Sequence, residues 1–331
     1  MKIAVLGAGA IGCWIGGRLA AAGEDVTLIG RPRVMAELEQ GLEVSELGDR
    51  SWKASPKLAT DARAAGDAEC VLVTVKSAST AEAAAELARA IGERAFVASF
   101  QNGVRNPQTL RDALPGRTVL AGMVAYNVAR VGPGHYHRGT TGELMIEASP
   151  AAEPFVAACR HAELAIEARA DMIAVQWGKL VMNLNNAINA LSGKSLFEQL
   201  SDRAFRRCLA AAQREALDAC AAAKLPIARL LALSPRMIVR LLPMPDWAFR
   251  PIANRVAGVD PNARSSMADD LAAGRATEVD YLQGEIVALA ERAGRAAPIN
   301  AKLAALVHAA EAGGKRAFTG TELAEALGVR A

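Results

Sequence analysis

A lysine and an asparagine stand four residues apart in an otherwise apolar stretch. The stretch runs from Gln176 to Asn183 and contains Lys179. Residues spaced by four lie on one face of an α-helix, so we expect both polar side chains on the same face. A lysine among apolar neighbours either extends its ammonium to solvent, the more frequent case, or has its pKa lowered by desolvation. A lysine of the second kind can donate a proton near neutral pH.

Hydroxyl and carboxylate side chains concentrate in a second segment, between Ser265 and Asp280. Thr277, with Asp280 three residues further on, fits a capping box at the start of a helix. By itself this segment therefore indicates a capped helix with a solvated acidic face.

The chain opens with a glycine-rich loop that fits the pattern G-x-G-x-x-G. The loop follows an apolar stretch, precedes residues with helical spacing, and consists of Gly7, Ala8, Gly9, Ala10, Ile11 and Gly12. In that setting the first glycine permits a tight turn, the second lets a pyrophosphate approach the backbone, and the third lets helix and strand pack closely. The loop therefore predicts a dinucleotide site, with a turn that binds nothing as the alternative.

Three more side chains are predicted at the same edge of the sheet. The second strand is followed by Arg31 where NAD-binding sites place an acidic residue, which favours the 2′-phosphate of NADP. Lys76 follows a third strand and is suited to the same phosphate or to the substrate. Asn102 can orient a nicotinamide ribose or a substrate carbonyl. Solvated surface charges and a plain Asn-Gly turn are the alternatives.

Periodicity places these residues on a framework of βαβ units and therefore on a parallel sheet. The predicted strands are Lys2 to Leu6, Asp25 to Ile29, Cys70 to Val75 and Ala95 to Ser99. The predicted helices of this half are Ile11 to Ala22 and Thr80 to Ile91. From Val119 to Glu147, alternating stretches broken by Gly132-Pro133-Gly134 predict antiparallel hairpins.

The second half is predicted to be mainly α-helical. Its predicted helices are Met172 to Leu191, Asp202 to Ala223, Ala276 to Ala293 and Asn300 to Ala312. Because 331 residues exceed the usual size of one core, we expect two domains, residues 1–169 and residues 170–331.

Composition argues against several classes of protein. The net charge is only +3 and the arginines are scattered, so nucleic acid is a poor candidate partner. No apolar stretch reaches the roughly 18 residues of a membrane span. The five cysteines are odd in number and widely spaced, which is typical of buried thiols in a reducing cytoplasm. A short H-x-H, His135 to His137, and two isolated histidines do not predict a metal site.

The order and spacing of these pieces resemble the ketopantoate reductase (2-dehydropantoate 2-reductase) family over most of the chain. The matching pieces are GAGAIG, Arg31, Val75-Lys76, Gln101-Asn102-Gly103, Gly132-Pro133-Gly134, Trp177-Gly178-Lys179-Leu180, Ser265-Ser266-Met267, Arg275 to Asp280, and Gly294 to Val307. The resemblance implies a Rossmann-type α/β domain that binds NADP(H). It also implies a mainly α-helical second domain, similar to the C-terminal domain of 6-phosphogluconate dehydrogenase.

The resemblance also implies residue roles. Lys179 is the expected proton donor, and Glu278 is expected to hold both the substrate hydroxyl and the cofactor. Asn102, Asn183 and Ser266 are expected to contact substrate or cofactor, while Arg31 and Lys76 are expected at the adenosine 2′-phosphate. The implied reaction is the reduction of 2-dehydropantoate by NADPH on the way to pantothenate and coenzyme A.

Two departures from the family pattern leave alternatives open. The segment after Asn183 has extra asparagines, so which of Asn185, Asn186 and Asn189 faces the substrate is undecided. The stretch from Leu225 to Ala263 is rich in proline and arginine and is suited to a flap or to a homodimer contact. A reductase of another 2-oxo acid and a non-catalytic NADP sensor are the competing functions.

Overall fold

The computed structural model of the chain describes residues 1–249 and 263–329. The chain forms two compact units, Met1–Met172 and Ile173–Ala331. Among the described residues, every strand lies in the first unit and the second unit contains helices only. The predicted combination of an α/β and a mainly α-helical unit is therefore confirmed.

The first unit contains twelve described strands. They are β1 Lys2–Leu6, β2 Asp25–Ile29, β3 Leu42–Glu46, β4 Arg50–Ala54, β5 Lys57–Ala59, β6 Cys70–Val73, β7 Phe96–Ser99, β8 Val119–Val124, β9 Val128–Gly132, β10 His135–Arg138, β11 Leu144–Glu147 and β12 Ile166–Arg169. Eight of them form one sheet in the order β12-β11-β8-β7-β6-β1-β2-β5. Within this sheet, each adjacent pair in the series β8-β7-β6-β1-β2-β5 is parallel. The strand β11 runs antiparallel to β8.

Helices cover both faces of this sheet, because its central strands are apolar on both sides. They are α1 Ala10–Ala21, α2 Pro32–Leu38, α3 Thr80–Ala90, α4 Asn106–Ala113 and α5 Glu153–His161. Alternate residues of β1 enter two different cores: Ile3 and Val5 pack in one, and Ala4 and Leu6 in the other. Such a sheet brings the carboxyl ends of β1, β2, β6 and β7 to one edge.

The antiparallel prediction for Val119 to Glu147 is only partly confirmed. The strands β9 and β10 do form an antiparallel hairpin at Gly132-Pro133-Gly134. However, β8 pairs in parallel with β7 in the large sheet, and β10 pairs in parallel with β3 in a second sheet of order β4-β3-β10-β9. Long-range partners, which local alternation does not reveal, decide the direction of pairing.

The second unit contains nine described helices. They are α6 Met172–Asn183, α7 Asn185–Ser192, α8 Leu196–Ser201, α9 Arg203–Ala222, α10 Pro235–Leu241, α11 Ser266–Ala272, α12 Val279–Arg292, α13 Pro298–Glu311 and α14 Gly320–Leu327. The predicted single helix from Met172 to Leu191 is wrong, since it divides at Leu184. At this point two glutamine side chains donate to backbone carbonyls, Gln213 to Val181 at 3.1 Å and Gln283 to Leu184 at 2.9 Å. Side chains that take up helical carbonyls in this way interrupt the regular i to i−4 hydrogen bonds.

The stretch that follows α9 is fixed to the second unit up to the end of its described part. The buried guanidinium of Arg206 donates to the carbonyls of Leu242 and Met244, at 2.9 and 2.8 Å. It also pairs with Asp246 at 2.7 Å. The flap or homodimer contact predicted for residues 225–263 partly involves residues 250–262, which lie outside the described residues.

All five cysteines are buried and free, as predicted. Within the described ranges, no helix combines the length and the apolar character that crossing a bilayer requires.

Candidate functional site

The glycine-rich loop connects β1 to α1 and lies tightly against neighbouring strands. Gly7 has φ +113°, and a Cβ at this position would lie 2.6 Å from the backbone nitrogen of Val75. A Cβ on Gly12 would meet the Thr74 hydroxyl at 2.5 Å. The amide of Gly7 donates to the Ile29 carbonyl at 2.9 Å, which fixes the turn against β2. The first and third glycines therefore have the packing roles that the motif predicts.

Gly9, the second glycine, differs from the other two. A Cβ added there would meet nothing within 4 Å, so the backbone faces open space. Gly9 is the N-cap of α1, no side chain caps the helix, and no acidic residue occupies its first turn. The first backbone N–H groups of a helix have no intrahelical acceptors and carry a partial positive charge. This cradle fits the pyrophosphate of a dinucleotide.

Arg31 stands beside this loop in the first unit. The strand β2 ends at Ile29, and a Cβ on Gly30 would lie 2.7 Å from the Cβ of Ala8, so the turn that leads from β2 into α2 lies against the glycine-rich loop. Arg31 is exposed and is the N-cap of α2. No acidic residue stands between Ile29 and Pro32, so the position that would bind a ribose 2′-hydroxyl carries a cation instead.

Lys76 and Asn102 follow adjacent strands at the same edge. The strand β6 ends at Val73, two residues earlier than predicted, and Lys76 is the exposed N-cap of a short 3-10 helix, Ser77–Ser79. Asn102 is partly exposed, three residues after the end of β7. Because β6 and β7 are parallel neighbours, the two loops emerge side by side.

A buried polar network, which the sequence analysis missed, fixes the Asn102 loop. Asn106 is 2% exposed and donates through Nδ2 to the Asn102 carbonyl at 2.6 Å and to the Ser77 hydroxyl at 3.0 Å. Its Oδ1 accepts from the Thr80 hydroxyl at 2.9 Å, and that hydroxyl accepts from Gln101 Nε2 at 2.7 Å. Each polar atom is satisfied, so the network holds both loops in one arrangement.

Lys179 lies in α6 of the second unit, on a helix packed closely by its own unit. The adjacent Gly178 leaves room for a crossing segment, because a Cβ there would lie 2.9 Å from the Ala228 carbonyl. Although Lys179 keeps partial exposure, the surrounding protein desolvates its ammonium and lowers the pKa of Lys179 from 10.5 to about 8. No carboxylate contributes to this shift. The lowered pKa of Lys179 therefore comes from burial of the ammonium and not from a neighbouring charge, which favours the desolvated alternative.

Two of the asparagines on α6 and α7 have side chains whose partners within the second unit are defined. Asn185 exchanges two amide hydrogen bonds with Gln199, at 3.1 and 2.9 Å. Asn189 is fully buried, donates to the Lys194 carbonyl at 3.1 Å, and accepts from the Ser265 amide at 2.9 Å. These two side chains are engaged by the fold itself and are therefore not available for a substrate.

Asn183 and Asn186 are the remaining asparagines of this segment. Asn183 is one turn after Lys179, and Asn186 follows at the seventh position, which completes an i, i+4, i+7 face. The backbone at Leu184 has φ −59° and ψ −20°, so the division between α6 and α7 keeps this face nearly continuous. Asn186 is partly exposed. Unlike Asn185 and Asn189, its side chain has no hydrogen bond to another described residue.

Ser266 begins α11 close to this asparagine face. The preceding Ser265 is buried and donates through its hydroxyl to the Asn186 carbonyl at 3.3 Å. Its hydroxyl also accepts from the Ala268 amide at 3.2 Å, so Ser265 caps the helix. Ser266 itself is exposed. One serine is thus structural and the other is available at the surface.

Glu278 is the N-cap of α12, in the turn for which a capping box was the alternative interpretation. The predicted capping box of Thr277 and Asp280 does not form as such. The Thr277 hydroxyl does accept from the Val279 amide at 3.3 Å, but the Asp280 carboxylate contacts His308 at 2.9 Å. Glu278 is partly exposed and does not cap the helix with its side chain.

Comparison with known proteins gives this arrangement a family. Residues 3–151 match the model of ketopantoate reductase PanE/ApbA, and residues 171–311 match the model of its C-terminal domain. The 2-dehydropantoate 2-reductase of Halobacterium salinarum is 30% identical over 298 residues, covering 88% of this chain and 92% of that protein. The chain belongs to the ketopantoate reductase family. Members of this family are NADP-dependent oxidoreductases.

Further relatives agree with membership of the ketopantoate reductase family. The 2-dehydropantoate 2-reductase of Archaeoglobus fulgidus is 29% identical over 299 residues, covering 88% of this chain and 92% of that protein. A PanE/ApbA family ketopantoate reductase from Ralstonia eutropha JMP134 superposes with a TM-score of 0.82 at 30% identity, covering 95% of this chain and 99% of that one. D-mandelate dehydrogenase, solved with NADH and anilino(oxo)acetate, superposes with a TM-score of 0.79 at 20% identity, which shows a shared fold alone. It covers 95% of this chain and 99% of its own.

Proposed function

We propose that this member of the ketopantoate reductase family reduces 2-dehydropantoate to (R)-pantoate with NADPH. The single observation that carries the proposal is the desolvated Lys179, whose pKa of about 8 suits a proton donor near neutral pH. The relatives that cover most of the chain carry the name of this reaction. We further propose that it works in the cytoplasm, for which the five buried free thiols are suited.

The first unit holds the cofactor in this proposal. The amides at the start of α1 bind the pyrophosphate at Gly9, and the cations Arg31 and Lys76 bind the 2′-phosphate. Asn102, fixed by the Asn106 network, orients the nicotinamide end. When bound there, NADPH supplies a hydride to the carbonyl carbon of the substrate.

The second unit supplies the proton and binds the substrate. As the carbonyl carbon is reduced, negative charge develops on its oxygen, and the Lys179 ammonium stabilises this charge and donates a proton to the oxygen. Glu278 accepts a hydrogen bond from the substrate hydroxyl and contacts the cofactor. Asn183 and Ser266 bind the remaining polar groups. We add Asn186 to this set, because Asn185 and Asn189 are engaged in the fold.

The pH dependence of the reaction follows from the state of Lys179. Reduction needs the protonated amine, so kcat/KM for the 2-oxo acid should be highest below pH 8 and fall as pH rises through about 8. Oxidation of pantoate by NADP needs the neutral amine and should rise through the same range. Initial rates in both directions across this range measure it, and a reduction rate that increases from neutral to alkaline pH would contradict the assignment.

Arg31 is expected to set the preference for NADPH over NADH. Arg31→Glu removes a charge-assisted hydrogen bond and adds repulsion, so KM for NADPH should rise by roughly 100-fold while KM for NADH rises far less. The matched control is Arg33→Glu, two residues further along, whose side chain is 88% exposed and pairs with Glu37. Equal effects of the two substitutions on KM for NADPH would contradict the assignment of Arg31 to the 2′-phosphate.

The reaction itself is tested by NADPH oxidation with 2-dehydropantoate beside a panel of other 2-oxo acids. Turnover that is highest with 2-dehydropantoate supports the proposal. Turnover of a different 2-oxo acid in its place selects the competing reductase. Tight NADPH binding without oxidation by any member of the panel favours the sensor.

A further inference from the structure

The turn that carries Glu278 is held from both sides by carboxylates that meet at one histidine. His308, on α13, contacts Glu311 Oε2 through Nδ1 and Asp280 Oδ1 through Nε2, each at 2.9 Å. The other oxygen of Glu311 accepts from the Thr277 amide at 2.7 Å. Thr277 and Asp280 thus flank Glu278, and both are connected to His308.

The geometry favours the imidazolium form of this histidine. A carboxylate oxygen only accepts hydrogen bonds, so a ring nitrogen that faces one must carry a hydrogen. Both nitrogens of His308 face carboxylates, and both contacts are complete only in the imidazolium form. The neutral ring has one hydrogen and must give up one of the two contacts. The contacts with Glu311 and Asp280 also raise the pKa of His308 above 6.5.

Among the described residues, the charges that act on His308 are mainly those of Asp280 and Glu311. Arg275 and Arg316 line a pocket with Glu311, but Arg275 pairs with Asp270 and Arg316 donates to the Ala310 and Leu271 carbonyls. Glu285 of α12 pairs with Arg292, and Glu322 of α14 pairs with Lys315. Among the described residues, α13 contacts α7, α9, α12 and α14. The helix α7 has no ionisable side chain. Glu215 of α9 binds the opposite end of α13, where it accepts from the Ile299 and Asn300 amides. Lys302 donates to the Leu327 carbonyl of α14.

We propose that His308 is a positioning residue: as an imidazolium it ties Glu311 to Asp280 and so fixes the turn that presents Glu278. This inference rests on the proposed function, because Glu278 is assigned there to substrate and cofactor. His308 contacts neither reactant in this account and acts through Glu278 alone. Deprotonation of His308 releases one side of the turn, which adds a second loss of activity with rising pH, separate from that of Lys179.

A double-mutant cycle distinguishes positioning from a merely structural contribution. His308→Gln keeps the size and one donor but cannot form an imidazolium, and we expect kcat/KM to fall on the order of 10-fold near neutral pH. In a Glu278→Gln background, the same change should cost no more than about 2-fold, because the group that it positions is already absent. An equal loss in both backgrounds, or none in the wild type, would overturn the proposal. His161→Gln, at the exposed end of α5, is the histidine control.

Two readouts separate failure of this inference from failure of the proposed reaction. The NADPH dissociation constant is measured across the same cycle, so coupling between His308 and Glu278 is tested even in a protein that reduces no 2-oxo acid. The ¹⁵N chemical shifts of His308 are measured without substrate as a function of pH, and both nitrogens should stay protonated to a higher pH than in a free imidazole. A His308 ring that loses its proton at the pH of a free imidazole or below, or uncoupled NADPH affinities, would contradict the inference. The absence of turnover in the wild type would contradict only the proposed function.

Discussion

Replacing Lys179 with alanine should lower kcat for 2-oxo acid reduction by about 10²- to 10⁴-fold, the range that general acids contribute. The loss follows from the absence of a proton donor and of a positive charge beside the developing alkoxide. NADPH affinity should change little, because the cofactor-binding residues proposed above, apart from Glu278, lie in the first unit. Stopped-flow oxidation of NADPH measures the chemical step, and fluorescence titration measures the binding.

A second substitution separates charge from proton transfer at this position. Lys179→Arg keeps a cation whose pKa is too high to donate a proton near neutrality, so it should restore little of the lost rate. Lys194→Ala, which removes an exposed lysine from the same unit, should leave kcat near the wild-type value. A Lys179→Ala protein that keeps a third or more of its kcat would exclude Lys179 as the proton donor.

Placing an aspartate at Gly9 should abolish useful NADPH binding without unfolding the protein. The fold accommodates the side chain, since a Cβ there meets nothing within 4 Å and φ is −87°, which any residue adopts. An aspartate at an N-cap is also slightly more favourable for the helix than a glycine, by roughly a few tenths of a kcal/mol. The same carboxylate faces the pyrophosphate, where two like charges about 4 Å apart repel by about 4 kcal/mol near a protein surface. We therefore expect the NADPH dissociation constant to rise by roughly 1000-fold.

The comparison for Gly9→Asp needs a glycine with similar freedom elsewhere in the first unit. Gly139 meets that condition, because a Cβ there also meets nothing within 4 Å, and Gly139→Asp should leave NADPH binding intact. Thermal unfolding of both variants should stay at or above the wild-type midpoint. If Gly9→Asp bound NADPH as the wild type does, the cofactor could not approach this loop.

Much of the cofactor unit could be predicted because its signals are local. The stretches Lys2–Leu6 and Asp25–Ile29 are strands as predicted, since short apolar segments between glycine turns suffice to identify them. The small sheet could not be predicted in the same way. Its central pair, β3 and β10, joins residues about ninety positions apart, such as Val44 and Tyr136. Neither segment contains a local signal that identifies the strand with which it pairs.

The same distinction between local and long-range signals applies to the candidate site. The sequence by itself determined the glycine-rich loop, the cation at Arg31, and the shared face of Lys179 and Asn183, because each depends on residue type and spacing within one element. Only the tertiary structure decided that the Asn189 side chain has a structural role, since its hydrogen-bond partner Ser265 lies 76 residues away in the sequence.

The state of Lys179 and the role of His308 also depend on neighbours from distant parts of the chain. Desolvation of an ammonium is set by every element packed around it, and the sequence left extension to solvent as the more frequent alternative. His308 stands alone in the sequence, and it becomes part of the site only where α13 brings it against Asp280 of α12, 28 positions away. Residue type and local period thus specify which groups are present, whereas burial and long-range contacts specify their protonation and their partners.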